Sequence, residues 1–408
     1  MNMAGMENSV GTFSSGTSIE PLTTSESSDM IHMTLGKWDF MFHGVAFILD
    51  AQQSGPRGRD KFFSTNWAMP AFIRKFGSSA LTLRTMFSIE PLTVTHRRYP
   101  LLFQTGETAF GRAIVDGQHP HDFFIELAGR YDHMLNEKTQ FFVYGGPVGE
   151  PALGPPAFPH RASASENPVA VLGHHYQDST HLSNNVITLG FSGGPVQLEA
   201  STFHGGEPNE NRWNIDKGAP DSFASRLTMS PLKTLTGQFS IGRINDREPS
   251  EPGMDTLRTT ASVQHNLRFM SGHVASSLIW GRNKDVHDDE RRIFNSYTFE
   301  STVQFGKNWT WTRIENVDRD ASLLSGEVDG HADETPIGRV QAWTFGYERD
   351  LPVGSAPIRL GLGVQATVYG LPAMLKPIYG DHPASFAFFL RLRPKGNMML
   401  HMQGMHQR

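Results

Sequence analysis

From about residue 34 to its end the chain alternates apolar and polar side chains with a period of two, the pattern of β-strands. In 359–369, Leu360, Leu362, Val364, Ala366 and Val368 share one parity, and Arg359, Gly361, Gly363, Gln365 and Thr367 share the other. Phe386, Phe388, Leu390 and Leu392 alternate with Arg391 and Arg393 in the same way. Segment 257–267 sets Leu257, Ala261 and Val263 against Arg258, Thr260, Ser262 and Gln264. Segment 81–90 sets Leu81, Leu83, Phe87 and Ile89 against Thr82, Arg84, Ser88 and Glu90, and 122–131 sets Phe123, Ile125 and Leu127 against Asp122, Glu126 and Arg130. These segments number roughly sixteen, and most run to about 9–12 residues, the length that crosses a bilayer at a tilt.

The gaps between them alternate in length. Short gaps include Lys75-Phe-Gly-Ser-Ser79, Leu135-Asn-Glu-Lys138, Ser192-Gly-Gly-Pro195 and Phe305-Gly-Lys307, while long ones span 91–121, 147–183, 204–220 and 317–338. Tight turns at one end and long loops at the other describe an all-β transmembrane antiparallel barrel of about 16 strands. A soluble sandwich would have shorter strands and open sheet edges. The division expected is a flexible Met-containing tail at 1–33, the barrel at 34–394 and a Met/His-rich tail at 395–408. In this orientation the short turns and both termini face the periplasm, and the long loops face outward from the bacterial outer membrane.

Charge then says what the interior holds. A barrel of about sixteen strands leaves a lumen that wall side chains alone do not fill. The polar parity supplies both signs: Arg84, Arg130, Arg226, Arg258, Arg359, Arg391 and Arg393 with Glu90, Glu126, Glu199 and Glu300. Mixed charge points to a hydrated, porin-like channel for small polar solutes or ions, with membrane lipid outside. A homo-oligomer is compatible with this architecture. Trp38, Trp280, Trp309, Trp311, Trp343 and Tyr347 stand near strand ends, as girdle aromatics do. Mean hydropathy is −0.36 and formal net charge −5, so no stretch reads as a membrane helix and nucleic acid is not an expected partner. The 408 residues contain no cysteine, which removes disulfides and thiolate metal sites. Met1 to Met33 has neither a basic nor an apolar signal region; an outer-membrane protein needs one, so either this is a mature form or the membrane reading is wrong.

Two groups of residues carry candidate chemistry. The long loops hold Gly117-Gln-His-Pro-His-Asp122, His160 and Gly173-His-His-Tyr-Gln-Asp-Ser-Thr-His181. Among them His119, His121, Asp122, His174, His175, Asp178 and His181 are imidazole and carboxylate groups, a normal set for zinc, copper or nickel. The same residues could instead clasp long loops across the barrel mouth, since buried loop backbone needs partners. The tails hold Met1, Met3, Met6, Met30, His32 and Met33, then Met398, Met399, His401, Met402, Met405 and His406. These include more than half of the chain's 17 methionines, and thioether with imidazole suits copper. A copper-binding barrel contributing to metal tolerance is therefore the alternative function. No enzyme is expected: there is no GxSxG elbow, P-loop or dinucleotide fingerprint, and Asp178, Ser179 and His181 lie too close together to form a triad.

Several motifs carry a resemblance: Gly16-Thr-Ser18, Ser54-Gly-Pro-Arg-Gly58, Tyr99-Pro-Leu-Leu-Phe-Gln-Thr-Gly-Glu107, Gln118-His-Pro-His-Asp-Phe-Phe124, Gly149-Glu-Pro-Ala-Leu-Gly-Pro-Pro-Ala-Phe158 and Gly173 to His181. Over most of the first 200 residues the chain resembles a group of bacterial outer-membrane barrels with Met- and His-rich tails and no assigned activity. The resemblance implies a barrel and hints at heavy-metal handling at the tails. This chain departs from it in having no histidine before His32. The architecture resembles sixteen-stranded porins, although no porin motif is matched and the chain does not end on an aromatic residue.

Overall fold

A computed structural model describes residues 7–8, 11–24, 30–178, 183–245, 253–286, 292–326 and 336–395. Sixteen long antiparallel strands form a closed barrel. They are β1 Trp38–Gln53, β2 Lys61–Phe76, β3 Ser79–Phe87, β4 Phe124–Asn136, β5 Thr139–Gly149, β6 Ser183–Gly193, β7 Val196–His204 and β8 Ser222–Leu232. Then follow β9 Leu235–Ile244, β10 Asp255–Phe269, β11 Gly272–Val286, β12 Ile293–Phe305, β13 Asn308–Asp320, β14 Ile337–Leu351, β15 Ile358–Gly370 and β16 Ala384–Pro394. Each strand pairs with its neighbours in sequence. The last closes on the first, from Ser385 opposite Gln53 to Leu392 opposite Ala46. The short strand Ile31–Leu35 pairs with the other stretch of β1, Trp38 to Phe42.

The expected alternation of gaps is present. One rim carries the connections 77–78, 137–138, 194–195, 233–234, 270–271, 306–307 and 352–357, and the other carries 88–123, 150–182, 205–221 and 321–336 among its longer loops. Gly306, at φ +59°, makes one of the tight reversals in the left-handed region that side chains disfavour.

The faces of the strands are inverted relative to a soluble protein. Along β10, Leu257, Val263 and Leu267 lie on the outer surface, while Thr256, Arg258, Thr260, Ser262, Gln264 and Asn266 are buried. Val263 faces Leu278 of β11 in the ladder, and these two side chains are 48 % and 59 % exposed. Such an apolar belt is stable where the surroundings are hydrocarbon.

Three pieces of chain fill the lumen. Residues 14–24, expected to belong to a flexible tail, lie inside the barrel. Ser14 and Gly16 accept from Arg84 through their carbonyls, and Thr17 takes Arg226 Nη2 on its hydroxyl at 2.9 Å. Thr23 N donates to Lys233 O at the short-turn rim. A two-stranded ribbon, Tyr99–Ala109 with Arg112–Gln118, packs Leu102 and Phe103 on Val317, Val340 and Tyr369 of the wall. The third piece, 150–178, lays Phe158 and Val169 to Val171 against Phe47, Phe63, Trp311 and Phe389. The interior is thus a packed, partly apolar core where a hydrated channel with loops across its mouth was expected.

Other expectations shift with it. Trp309 and Trp311 are 3 % and 2 % exposed and face inward; Trp309 lies beneath the guanidinium of Arg393 and Trp311 donates to Gln365, so neither belongs to a girdle. Ile125 is buried with Met86, Trp67 and Val148, because a register shift between Phe124 and Glu126 breaks the alternation. Glu90 is not on a strand: it opens the short helix Glu90–Thr93. His32 and Met33 sit in the strand Ile31–Leu35. Met1, Met3, Met6, His181, Met398, Met399, His401, Met402, Met405 and His406 lie outside the described residues.

Candidate functional site

The inner wall grips the third of these pieces, the plug of residues 150–178, mainly through arginines. Arg226 on β8 donates to Gly154 O at 3.0 Å while its Nε holds Glu199 at 2.9 Å. Arg258 on β10 donates to Asp178 O at 3.2 Å and to His175 O. Arg313 on β13 reaches Ala170 O at 3.0 Å, and Arg319 reaches Leu172 O. On β16, Arg391 and Arg393 both meet Glu166, the latter at 2.9 Å. The plug answers with one arginine of its own: Arg161 binds Glu300 of β12 at 2.7 Å and also Asp178. Guanidinium groups suit this work, since each offers several donors in a fixed plane and buried loop carbonyls need partners. Burial pushes the Asp178 carboxyl up to about 6 against the pull of Arg161.

The predicted lumen residues therefore face inward, but most are engaged with wall or plug. Arg84 pairs with Glu126 at 2.7 Å, and Glu126 also accepts from Tyr144. Arg130 pairs with Asp132 and lies over the Phe142 ring. Glu90 takes the backbone N–H groups of Asn66 and His121 and stands 3.0 Å from His121 Nδ1. Arg359, paired loosely with Asp350 at 3.6 Å, keeps a third of its side chain accessible.

The loop histidines and carboxylates separate into two groups. His121 goes to Glu90, Asp122 to Arg212 at 3.1 Å, and Asp178 to Arg161 and Phe158 N; His160 lies against the Trp67 ring and Met86 Sδ. These are clasps. His119, His174 and His175 instead converge, with candidate ligand nitrogens all within 4.8 Å of one another. His119 comes from the end of the ribbon, and His174 and His175 from the short helix His174–Gln177 in the plug. Gly106, at φ +130°, makes room for them: a Cβ there would stand 2.1 Å from His175 Nδ1. Glu107 Oε1 lies 2.9 Å from His119 Nε2. Burial alone would raise the Glu107 carboxyl, but Arg212 and His119 outweigh it and hold it at about 2.

Sequence reasoning missed several members of this interior. Arg313 shares the inward parity of β13 with Trp309 and Trp311, so its signal was present. Arg161 and Glu166 sit in an aperiodic loop, where no pattern marks them. Glu107 and Gly106 are significant only because the ribbon folds back onto the plug.

No protein-family model matches the sequence, and no curated protein matches it. The chain is similar to solved structures. An anion-selective porin from Comamonas acidovorans superposes with a TM-score of 0.51 at 12 % identity, over 87 % of this chain and 99 % of that one. OmpT, an outer membrane protein of Vibrio cholerae, gives 0.49 at 8 % identity over 87 % and 99 %.

Proposed function

We propose that this chain is a porin-like channel of the bacterial outer membrane, passing small polar solutes or ions by diffusion along the seam between wall and plug. The observation that carries the reading is the inverted barrel, apolar outside and arginine-rich within. The fold shared with a porin supports it. On this reading the short turns face the periplasm, and the 88–123 and 150–178 connections enter the lumen from the outer mouth. Several barrels associating side by side is a further part of the proposal.

Single-channel recording in planar bilayers tests it. The full chain is expected to give small, discrete, ohmic steps. Substituting Arg391→Ala with Arg393→Ala, which frees Glu166, is expected to raise the step size. An electrically silent barrel, with the substitutions silent as well, would overturn the proposal.

A further inference from the structure

The geometry points to a transition-metal site inside the lumen, built from His119, His174 and His175. This goes beyond the channel reading and does not depend on it. Three features of the cluster carry it.

The first is separation. His119 Nε2 and His175 Nε2 are 3.4 Å apart. Two nitrogens that each bind one tetrahedral ion at about 2.0–2.1 Å stand about 3.3–3.4 Å apart. The third histidine, His174, stacks its ring edge-on to His175 at 4.0 Å between centroids, and the ligand nitrogens of all three fall within 4.8 Å.

The second is orientation. Metal-binding imidazoles commonly fix one nitrogen on a carbonyl or carboxylate and present the other. His174 Nδ1 lies 2.7 Å from Val171 O and His119 Nδ1 3.0 Å from Pro120 O. For His119 this places the N–H on Nδ1 and turns Nε2 toward His175 Nε2 and Glu107 Oε1, while Gln104 Nε2 also lies 3.2 Å from His174 Nδ1.

The third is surroundings. His119 and His174 are 3 % and 2 % exposed, whereas His175 is only partly buried. The Glu107 carboxylate, 2.9 Å from His119 Nε2, supplies negative charge beside the cluster to balance a cation. A three-imidazole set of this kind suits borderline divalent ions (zinc, nickel, cupric copper) better than calcium or magnesium, which prefer all-oxygen sets. Because His119 lies on the ribbon and His174 and His175 on the plug, a bound ion would join two separate inward segments.

Cobalt(II) is the probe of choice, since its visible absorption distinguishes four-coordinate from six-coordinate sites. The detergent-solubilised full chain is expected to bind one equivalent with an intense four-coordinate band that zinc displaces. His119→Gln and His175→Gln are each expected to abolish the band, and Glu107→Gln to weaken binding about 10- to 100-fold. Heat-modified electrophoretic mobility establishes that each variant remains a barrel, and Glu107→Gln keeps all three imidazoles should another variant fail to fold. Cobalt held by methionines or histidines elsewhere would persist unchanged in all the variants. A full chain without the four-coordinate band, or variants that retain it at wild-type strength, would overturn the assignment.

Discussion

Arg161 of the plug donates through Nε to Glu300 of the wall at 2.7 Å, and both side chains are fully buried. Each charge has lost its hydration and depends on the other. Glu300→Ala leaves the buried Arg161 with Asp178 and the Pro156 carbonyl, so docking of 158–166 weakens by an amount near the lower end of about 3–5 kcal/mol. The double substitution Arg161→Leu with Glu300→Leu is expected to cost much less, since an apolar pair of similar volume needs no hydration. Hydrogen exchange across 150–178 measures both, and protection that does not fall in Glu300→Ala would refute the coupling.

The outer belt makes a prediction of its own. Val263 lies midway along the β10–β11 ladder and faces Leu278. Val263→Arg places a charge near the bilayer midplane and is expected to lower stability by about 2–4 kcal/mol. Met270→Arg, at the tip of the same hairpin where the side chain is fully exposed, is expected to change it by less than about 0.5 kcal/mol. Reversible denaturant unfolding in lipid vesicles compares the two. Equal effects would mean that this face does not meet hydrocarbon.

Residues 14–24 carry a pH dependence. Burial pushes the Glu20 carboxyl from 4.5 to about 7, helped by nearby Glu300 and opposed by Ala162 N–H, Arg161 and the Ser14 hydroxyl. A carboxyl raised in the folded state stabilises that state below its unfolded value, and the contribution is lost as pH rises through the folded value. Docking of this segment is therefore expected to loosen between pH 4.5 and about 7. Glu20→Gln should remove the dependence. Proteolytic or exchange protection of 14–24 at several pH values provides the measurement, and an unchanged slope in Glu20→Gln would count against it.

Gly106→Ala is expected to cost at least about 1–3 kcal/mol in ribbon stability, because the residue must hold a left-handed φ and its new Cβ would stand 2.1 Å from His175 Nδ1. The loss is expected to show in exchange of 99–118 while the barrel strands stay protected. A variant as protected as the parent would show that the ribbon does not approach His175 so closely.

How much of this could be read in advance follows from where regularity lies. Strands such as β10 and β15 announce themselves, because lipid outside and polar groups inside impose a strict period of two. The fold and the rhythm of turns and loops were legible for that reason. Ile125 escaped because one bulge shifts the parity. Trp309 and Trp311 were misplaced by judging residue type ahead of parity, although Arg313 on the same face pointed inward. The convergence of His119 with His174 and His175 was not legible at all. More than fifty positions separate them, and only the folding of ribbon against plug brings them together. Their residue types marked them as candidates, but so did those of His121 and Asp178, which the structure uses as clasps.

The position of Arg391 and Arg393 has a consequence for assembly. Both lie on the strand that completes the barrel by pairing with Trp38–Gln53, and both meet Glu166 in the plug. Until that final strand arrives, the sheet has a free edge and Glu166 lacks these two cations. Zipping the seam supplies both at once. Closing the wall and securing its contents become a single late event, in which a chain with residues 150–178 misplaced would leave two arginines without Glu166 at the seam.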